Sequence, residues 1–312
     1  MGLRYSIWLW LLPLLACGPD VPPPRTALYH WTTRLDLPDS LLRRDAVERV
    51  YIKVFDVDRT DGRPAPSAAL LTDRDSLPVE AVPVVFITNA VFAQPHDGLG
   101  ADVVALLRRR FPYPFPELQI DCDWTAGTRA AYFAFLRELR ALVGADVSCT
   151  VRLHQYRDRD RQGVPPVDRA VLMAYNTGDL DRWATENSIY APAAAAAYLD
   201  GQPPYPLPLD LAVAAYDWAA VYRREALVYL INAPELAELG DTTRFTRLAP
   251  DRYAVARSTY YGGLYLYAGD RLRLEAIGRE RAVAAGADLW ARVANAGSRY
   301  LIYYHAGSRQ WR

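Results

Sequence analysis

The residues from Gln119 to Trp124, Gln-Ile-Asp-Cys-Asp-Trp, carry the most specific chemical signal in the chain. Read as a strand, their period-two alternation sends Gln119, Asp121 and Asp123 to one face and the apolar Ile120 and Cys122 to the other. Two carboxyls at alternate positions of a strand stand about 7 Å apart, close enough for each charge to oppose ionisation of the other. One of them can then keep a proton near neutral pH, as general acid and base work requires. A structural alternative stands beside this reading, in which Lys53 or Arg152, on neighbouring interior faces, neutralises Asp121 in a buried network. Other polar groups end other apolar runs: His30 with Trp31, Asp56 and Asp58, His96, His154, Tyr175 with Asn176, Asp217 with Trp218, and His305.

These groups need a scaffold that gathers strand ends. Apolar, β-branched or aromatic runs recur at 27–31, 50–55, 82–88, 118–123, 147–154, 170–175, 207–216 and 300–304, and most precede a polar loop and a stretch of helical period. Residues 127–143 and 279–296 read as amphipathic helices, the first with Arg137, Glu138 and Arg140 outward. The alanine run 191–197 reads as an ordinary helix, and the Arg157 to Arg161 charge run as a solvated loop. Eight such units fit a (β/α)8 TIM-type barrel, an α/β fold, better than an open doubly wound sheet, because no Gly-rich phosphate-binding turn follows the first run. Residues 223–274 read as a small β-hairpin insertion between strands 7 and 8. In such a barrel the active site forms at the C-terminal ends of the strands. All four histidines, the carboxyls above and Trp31, Trp124 and Trp218 are therefore expected on one concave face.

With the barrel in hand, two motifs resemble those of family 18 glycoside hydrolases, the chitinase-like barrels. Gln119 to Trp124 is similar to their fourth-strand aspartate motif, and Leu172-Met173-Ala174-Tyr175-Asn176-Thr177-Gly178 to their sixth-strand Met-x-Tyr-Asp/Asn motif. Most of the mature chain, including Arg152-Leu153-His154-Gln155 and Leu207-Pro208-Leu209-Asp210, is similar to uncharacterised lipoproteins of Bacteroidetes type. The family-18 resemblance implies action on carbohydrate, yet the glutamate that ends the family's fourth-strand motif is replaced here by Thr125. Asp123 is then expected to take the acid's role, with Asp121 beside it, Asp217 or Glu186 as partner carboxylate, and Tyr175 bonding a polarised oxygen. Substrate contacts are expected from His30, Trp31, Lys53, Trp124, Arg152, His154, Asn176, Trp218 and His305. An alternative is a catalytically silent glycan-binding protein on the same barrel. A third class, a metal-dependent hydrolase using His30, His154, His305 and the aspartates, lacks the HxH or HExxH spacing. No metal and no cofactor are expected.

The N-terminus reads as a targeting device. Arg4 precedes an apolar run, 7–15, that is too short to span a bilayer but suits a signal peptide. Leu14-Leu15-Ala16-Cys17 resembles the bacterial lipobox, which implies a signal peptide over 1–16 and lipidation at Cys17. Four prolines make 17–25 a stiff tether, leaving 26–312 as a single barrel domain. Gly18 after the cysteine implies an outer-membrane lipoprotein, facing the periplasm or the surface, held to the membrane only through its lipid. Cys122 and Cys149 read as small buried residues facing helices, with a disulfide between them left open. The 312 residues carry 36 basic and 36 acidic side chains and no net charge, so no field draws the chain to nucleic acid. The expected partner is a glycan or another small polar ligand.

Overall fold

The computed structural model describes residues 21–304; the expected signal peptide, the lipidation site Cys17 and His305 lie outside the described residues. In chain order the strands are β1 (Arg25–His30), β2 (Val47–Thr60), β3 (Arg63–Ser67), β4 (Glu80–Ile87), β5 (Glu117–Asp121), β6 (Asp146–Arg152), β7 (Arg169–Met173), β8 (Leu209–Ala214), β9 (Asp217–Arg223), β10 (Ala226–Asn232), β11 (Phe245–Ala249), β12 (Arg252–Val255), β13 (Thr259–Tyr261), β14 (Leu264–Leu266), β15 (Arg271–Ala276) and β16 (Tyr300–Tyr304). The helices are α1 (Asp39–Arg44), α2 (Asn89–Phe92), α3 (Leu99–Arg110), α4 (Arg129–Val143), α5 (Leu153–Arg157), α6 (Arg159–Gln162), α7 (Pro192–Leu199) and α8 (Arg279–Val293).

Eight strands pair in parallel in the order β1, β16, β8, β7, β6, β5, β4, β2, and β1 also pairs with β2, closing the sheet into a barrel. Each falls within or beside one of the eight runs read from the sequence, because strands covered by helices outside and packed inside must be apolar or paired. The strand β2 is longer than expected. It runs on as a hairpin with β3 through Asp61 and Gly62, both at positive φ, the two-residue turn for which Asp-Gly is suited. Asp56 and Asp58 thus belong to a strand and not to the loop after it.

Polar side chains fill much of the interior. Positions 117, 119 and 121 of β5 all face inward, and each must find a partner where water is excluded. Arg49 Nη1 meets Glu117 Oε2 at 2.7 Å, Arg169 Nη1 meets Asp210 Oδ2 at 3.0 Å, and the Tyr29 hydroxyl donates to Gln119 Oε1 at 2.6 Å. Outside, α8 lies close against β16: a Cβ on Gly286 would come within 2.5 Å of Leu301 Cδ2. Cys122 and Cys149 are buried free thiols, and burial pushes both up in pKa.

The insertion is a larger body than small hairpins. An antiparallel sheet in the order β10, β9, β15, β12, β11 extends from Asp217 to Ala276 and carries the separate hairpin β13 and β14. Its own apolar centre contains Val221, Ile231, Phe245, Val255, Leu266 and Leu272. It leaves and rejoins the barrel at one place, where the Ile277 amide donates to the Tyr216 carbonyl at 3.0 Å.

Candidate active site

The C-terminal ends of the barrel strands surround a cavity of about 290 Å³ lined by Tyr29, Trp31, Lys53, Asp56, Phe86, Asp121, Asp123, Arg152, Met173, Tyr175, Asn176 and Tyr304. Asp121 is 4% exposed. The Thr150 hydroxyl, one strand away, donates to its Oδ1 at 2.5 Å. Burial is the largest influence on this carboxyl and pushes it up to about 6; the Thr150 bond opposes that rise, and the charge of Asp123 adds to it. A carboxyl so placed can give or take a proton at mildly acidic pH.

The two cations nearest Asp121 are engaged elsewhere. Arg152 reaches Asp123 in a two-pronged contact, Nε to Oδ1 at 2.5 Å and Nη2 to Oδ2 at 2.7 Å, the fork geometry that suits guanidinium and carboxylate. Lys53 Nζ lies 2.8 Å from Asp56 Oδ1. Strict alternation would put residues 53 and 56 on opposite faces. A register shift between Lys53 and Phe55 on β2 returns Asp56 to the inner face. Neutralisation of Asp121 by direct pairing with Lys53 or Arg152 is therefore corrected: each cation has its own carboxylate.

Aromatic rings make the rest of the wall. Trp31 stands edge-on to Tyr29 at 5.7 Å and to Tyr304 at 5.8 Å, and Tyr175 packs on Tyr304 at 5.6 Å. Burial raises the phenols of Tyr29, Tyr175 and Tyr304, so all three stay protonated as donors. Asn176 has φ 54°, a left-handed conformation that asparagine tolerates, and its Oδ1 accepts from the Tyr216 hydroxyl at 2.5 Å.

Of the residues singled out in the sequence, the cavity unites Trp31, Lys53, Asp56, Asp121, Asp123, Arg152, Tyr175 and Asn176. Others lie elsewhere. His30 faces out of the barrel, since Tyr29 and Trp31 on either side face in, and its Nε2 is 2.8 Å from the Arg34 carbonyl oxygen. His154 sits on the exposed surface of α5, because β6 ends at Arg152; partial desolvation of its ring, with the Arg152 charge next, lowers its pKa. His96 packs against Phe92 in its loop. Trp124 is a core residue, stacked on Tyr132 with ring centres 5.3 Å apart and donating from Nε1 to the Gln162 carbonyl. Asp217, Trp218 and Glu186 line a separate groove. The expectation of one face holding all four histidines with Trp31, Trp124 and Trp218 is thus corrected, and among the described residues no group of three or more His, Cys, Asp or Glu is placed to hold a metal ion.

Sequence reasoning passed over Tyr29, Thr150 and Tyr304. Thr150 shares its parity with Arg152 on β6, and Tyr29 shares its own with Trp31 on β1, so alternation carried the signal for both. Thr125, in the position of the family's glutamate, is exposed and bonded through its amide to Thr128 Oγ1 at 3.0 Å.

The chain is a closed parallel eight-stranded α/β barrel with flanking helices and a polar, aromatic mouth. Among solved structures it is similar to a chitinase from Chromobacterium violaceum, with a TM-score of 0.50 and 13% identity over 90% of this chain and 94% of the other. It also matches the spore cortex-lytic enzyme SleL of Bacillus cereus, with a TM-score of 0.48 and 14% identity over 90% of this chain and 70% of that one. The likeness to the chitinase is one of fold. No family model matches the chain, and no curated protein matches it in sequence.

Proposed function

We propose that the protein acts on carbohydrate as a glycoside hydrolase-like barrel, with the aspartates of the fourth barrel strand at the centre of the reaction. The observation that carries this reading is Asp121, a buried carboxyl on the cavity wall pushed up to about 6. The acid's role expected of Asp123 passes to Asp121, since Asp123 is tied to Arg152. In this reading Asp121 gives its proton to the glycosidic oxygen, and the carbon–oxygen bond breaks with its electron pair going to that oxygen. Asp123, held by Arg152, draws a proton from the water that attacks the anomeric carbon. Carboxyls at alternate positions stand about 7 Å apart, a separation that leaves room for a water and favours inversion at that carbon. Tyr175 donates to a sugar oxygen, and Trp31 offers a ring edge or face to the sugar.

The experiment is release of reducing ends from a panel of N-acetylated and neutral glycans, with Asp121→Asn and Asp123→Asn beside the parent protein. Turnover should fall by roughly a hundredfold or more in Asp121→Asn while glycan binding persists. Thr125 in the glutamate position, together with the engagement of both Asp123 oxygens by Arg152, favours a second reading, a glycan-binding protein without turnover. Saturable binding with no product from any glycan would establish that reading and discard the first.

Export and lipidation at Cys17 belong to the same proposal and rest on the lipobox resemblance. The described chain enters the barrel at Arg25, at the end opposite the mouth, and Trp290 Nε1 of α8 donates to the Pro22 carbonyl at 3.2 Å. An anchor at Cys17 would leave the mouth facing away from the membrane. Mass spectrometry of the mature N-terminus, beside Cys17→Ala, tests this; an unmodified Cys17 would end it.

A further inference from the structure

A second cavity lies away from the barrel mouth. A groove of about 620 Å³ lies between the inserted sheet, the loop after β7 and the starts of α7 and α8, and it shares no lining residue with the mouth. Asp217 and Trp218 line it and are only 6% and 7% exposed. Asp217 Oδ1 and Trp218 Nε1 are buried and have no hydrogen-bond partner in the protein. Buried polar groups are nearly always satisfied, and a buried carboxylate especially requires a donor or a cation. Two such groups on adjacent residues of one groove point to a ligand that supplies what the protein does not.

The charge of the groove says which kind. Glu186 and Asp251 stand exposed on its rim, and neither they nor Asp217 forms a salt bridge among the described residues, against a single guanidinium, Arg281. Glu275, also in the lining, is already satisfied by Arg273 and by the Ser188 amide and hydroxyl. The balance is acidic, so Asp217 calls for a cation, while the indole N–H of Trp218 calls for an oxygen acceptor. We propose that this groove is a second ligand site, separate from the mouth, that takes a hexosamine with a free protonated amine, its ammonium on Asp217 and a hydroxyl oxygen on Trp218 Nε1. The choice of a sugar among ammonium compounds rests on the carbohydrate reading of the mouth; the demand for an ammonium and an oxygen acceptor does not.

The test uses the full chain labelled with 5-fluorotryptophan, the Trp218 resonance being assigned by its loss in Trp218→Phe. Titration with the glucosamine disaccharide should shift that resonance to saturation, and the N,N′-diacetylated disaccharide should do so with affinity lower by about tenfold or more, having lost the charge. Asp217→Asn, nearly isosteric, should weaken the glucosamine titration by about tenfold or more, and Trp218→Phe should weaken binding severalfold by calorimetry while keeping the ring. Asp121→Asn, which removes the proposed acid of the mouth, should leave the Trp218 titration unchanged, so failure of the hydrolase reading and failure of this one are separable. A Trp218 resonance that does not respond to glucosamine, or responds equally to the diacetylated sugar, overturns the proposal. Should Asp217→Asn fail to fold, the two titrations of the parent protein decide it.

Discussion

In the proposed reading Asp121 governs the chemistry at the mouth, and its charge state is set by burial more than by its neighbours. If it serves as the acid, kcat/KM should fall about tenfold for each pH unit above 6, as the protonated fraction falls. The Thr150 hydroxyl bonds the ionised form and so lowers this pKa; Thr150→Val should therefore move the falling limb to higher pH, read from the pH–rate profile. Stability follows with a definite sign. The folded value, about 6, lies above the ordinary 3.8, so the proton favours folding. That contribution is complete below the unfolded value and is lost as the pH rises through 6. The difference corresponds to roughly 3 kcal/mol, so Asp121→Asn should raise Tm at pH 8 and change it little at pH 4. Equal shifts at both pH values would show that the carboxyl is not the cause.

The elements hold these residues through close backbone approach and strand parity. Where α8 meets β16, Gly286 leaves no room for a side chain beside Leu301. Gly286→Val should destabilise the barrel by about 1–3 kcal/mol through overpacking, seen as a lowered denaturation midpoint, and Leu301→Ala in the same chain should recover part of that loss. The strand β5 shows how much of the site was legible. Alternation alone placed Gln119, Asp121 and Asp123 inward, and the same rule reaches Thr150 from Arg152. It could not place Asp56, because the register shift after Lys53 is a property of pairing with β4. Nor could it choose a partner for Arg152: a face is a local matter, but a neighbour across the sheet depends on stagger.

At the scale of the whole molecule, two bodies with separate apolar centres meet along the groove. The inserted sheet enters and leaves through adjacent residues, so replacing 218–275 by a short Gly-Ser turn should leave a barrel that melts cooperatively, by circular dichroism, while the Trp218 site disappears with the sheet. Loss of cooperative melting would mean that the barrel depends on the contacts of Glu275 and Arg273 with the loop after β7. By itself the sequence determined the eight strands and the inward aspartates, because these follow from periodicities that each segment carries locally. Only the tertiary structure decided that Asp217 and Trp218 leave the mouth for a groove of their own, that Trp124 becomes core, and that Arg152 and Lys53 take Asp123 and Asp56 in place of Asp121. Those outcomes depend on how strands are staggered around the barrel and where a sheet folds back upon it, and distances between segments far apart in the chain are written in no local pattern.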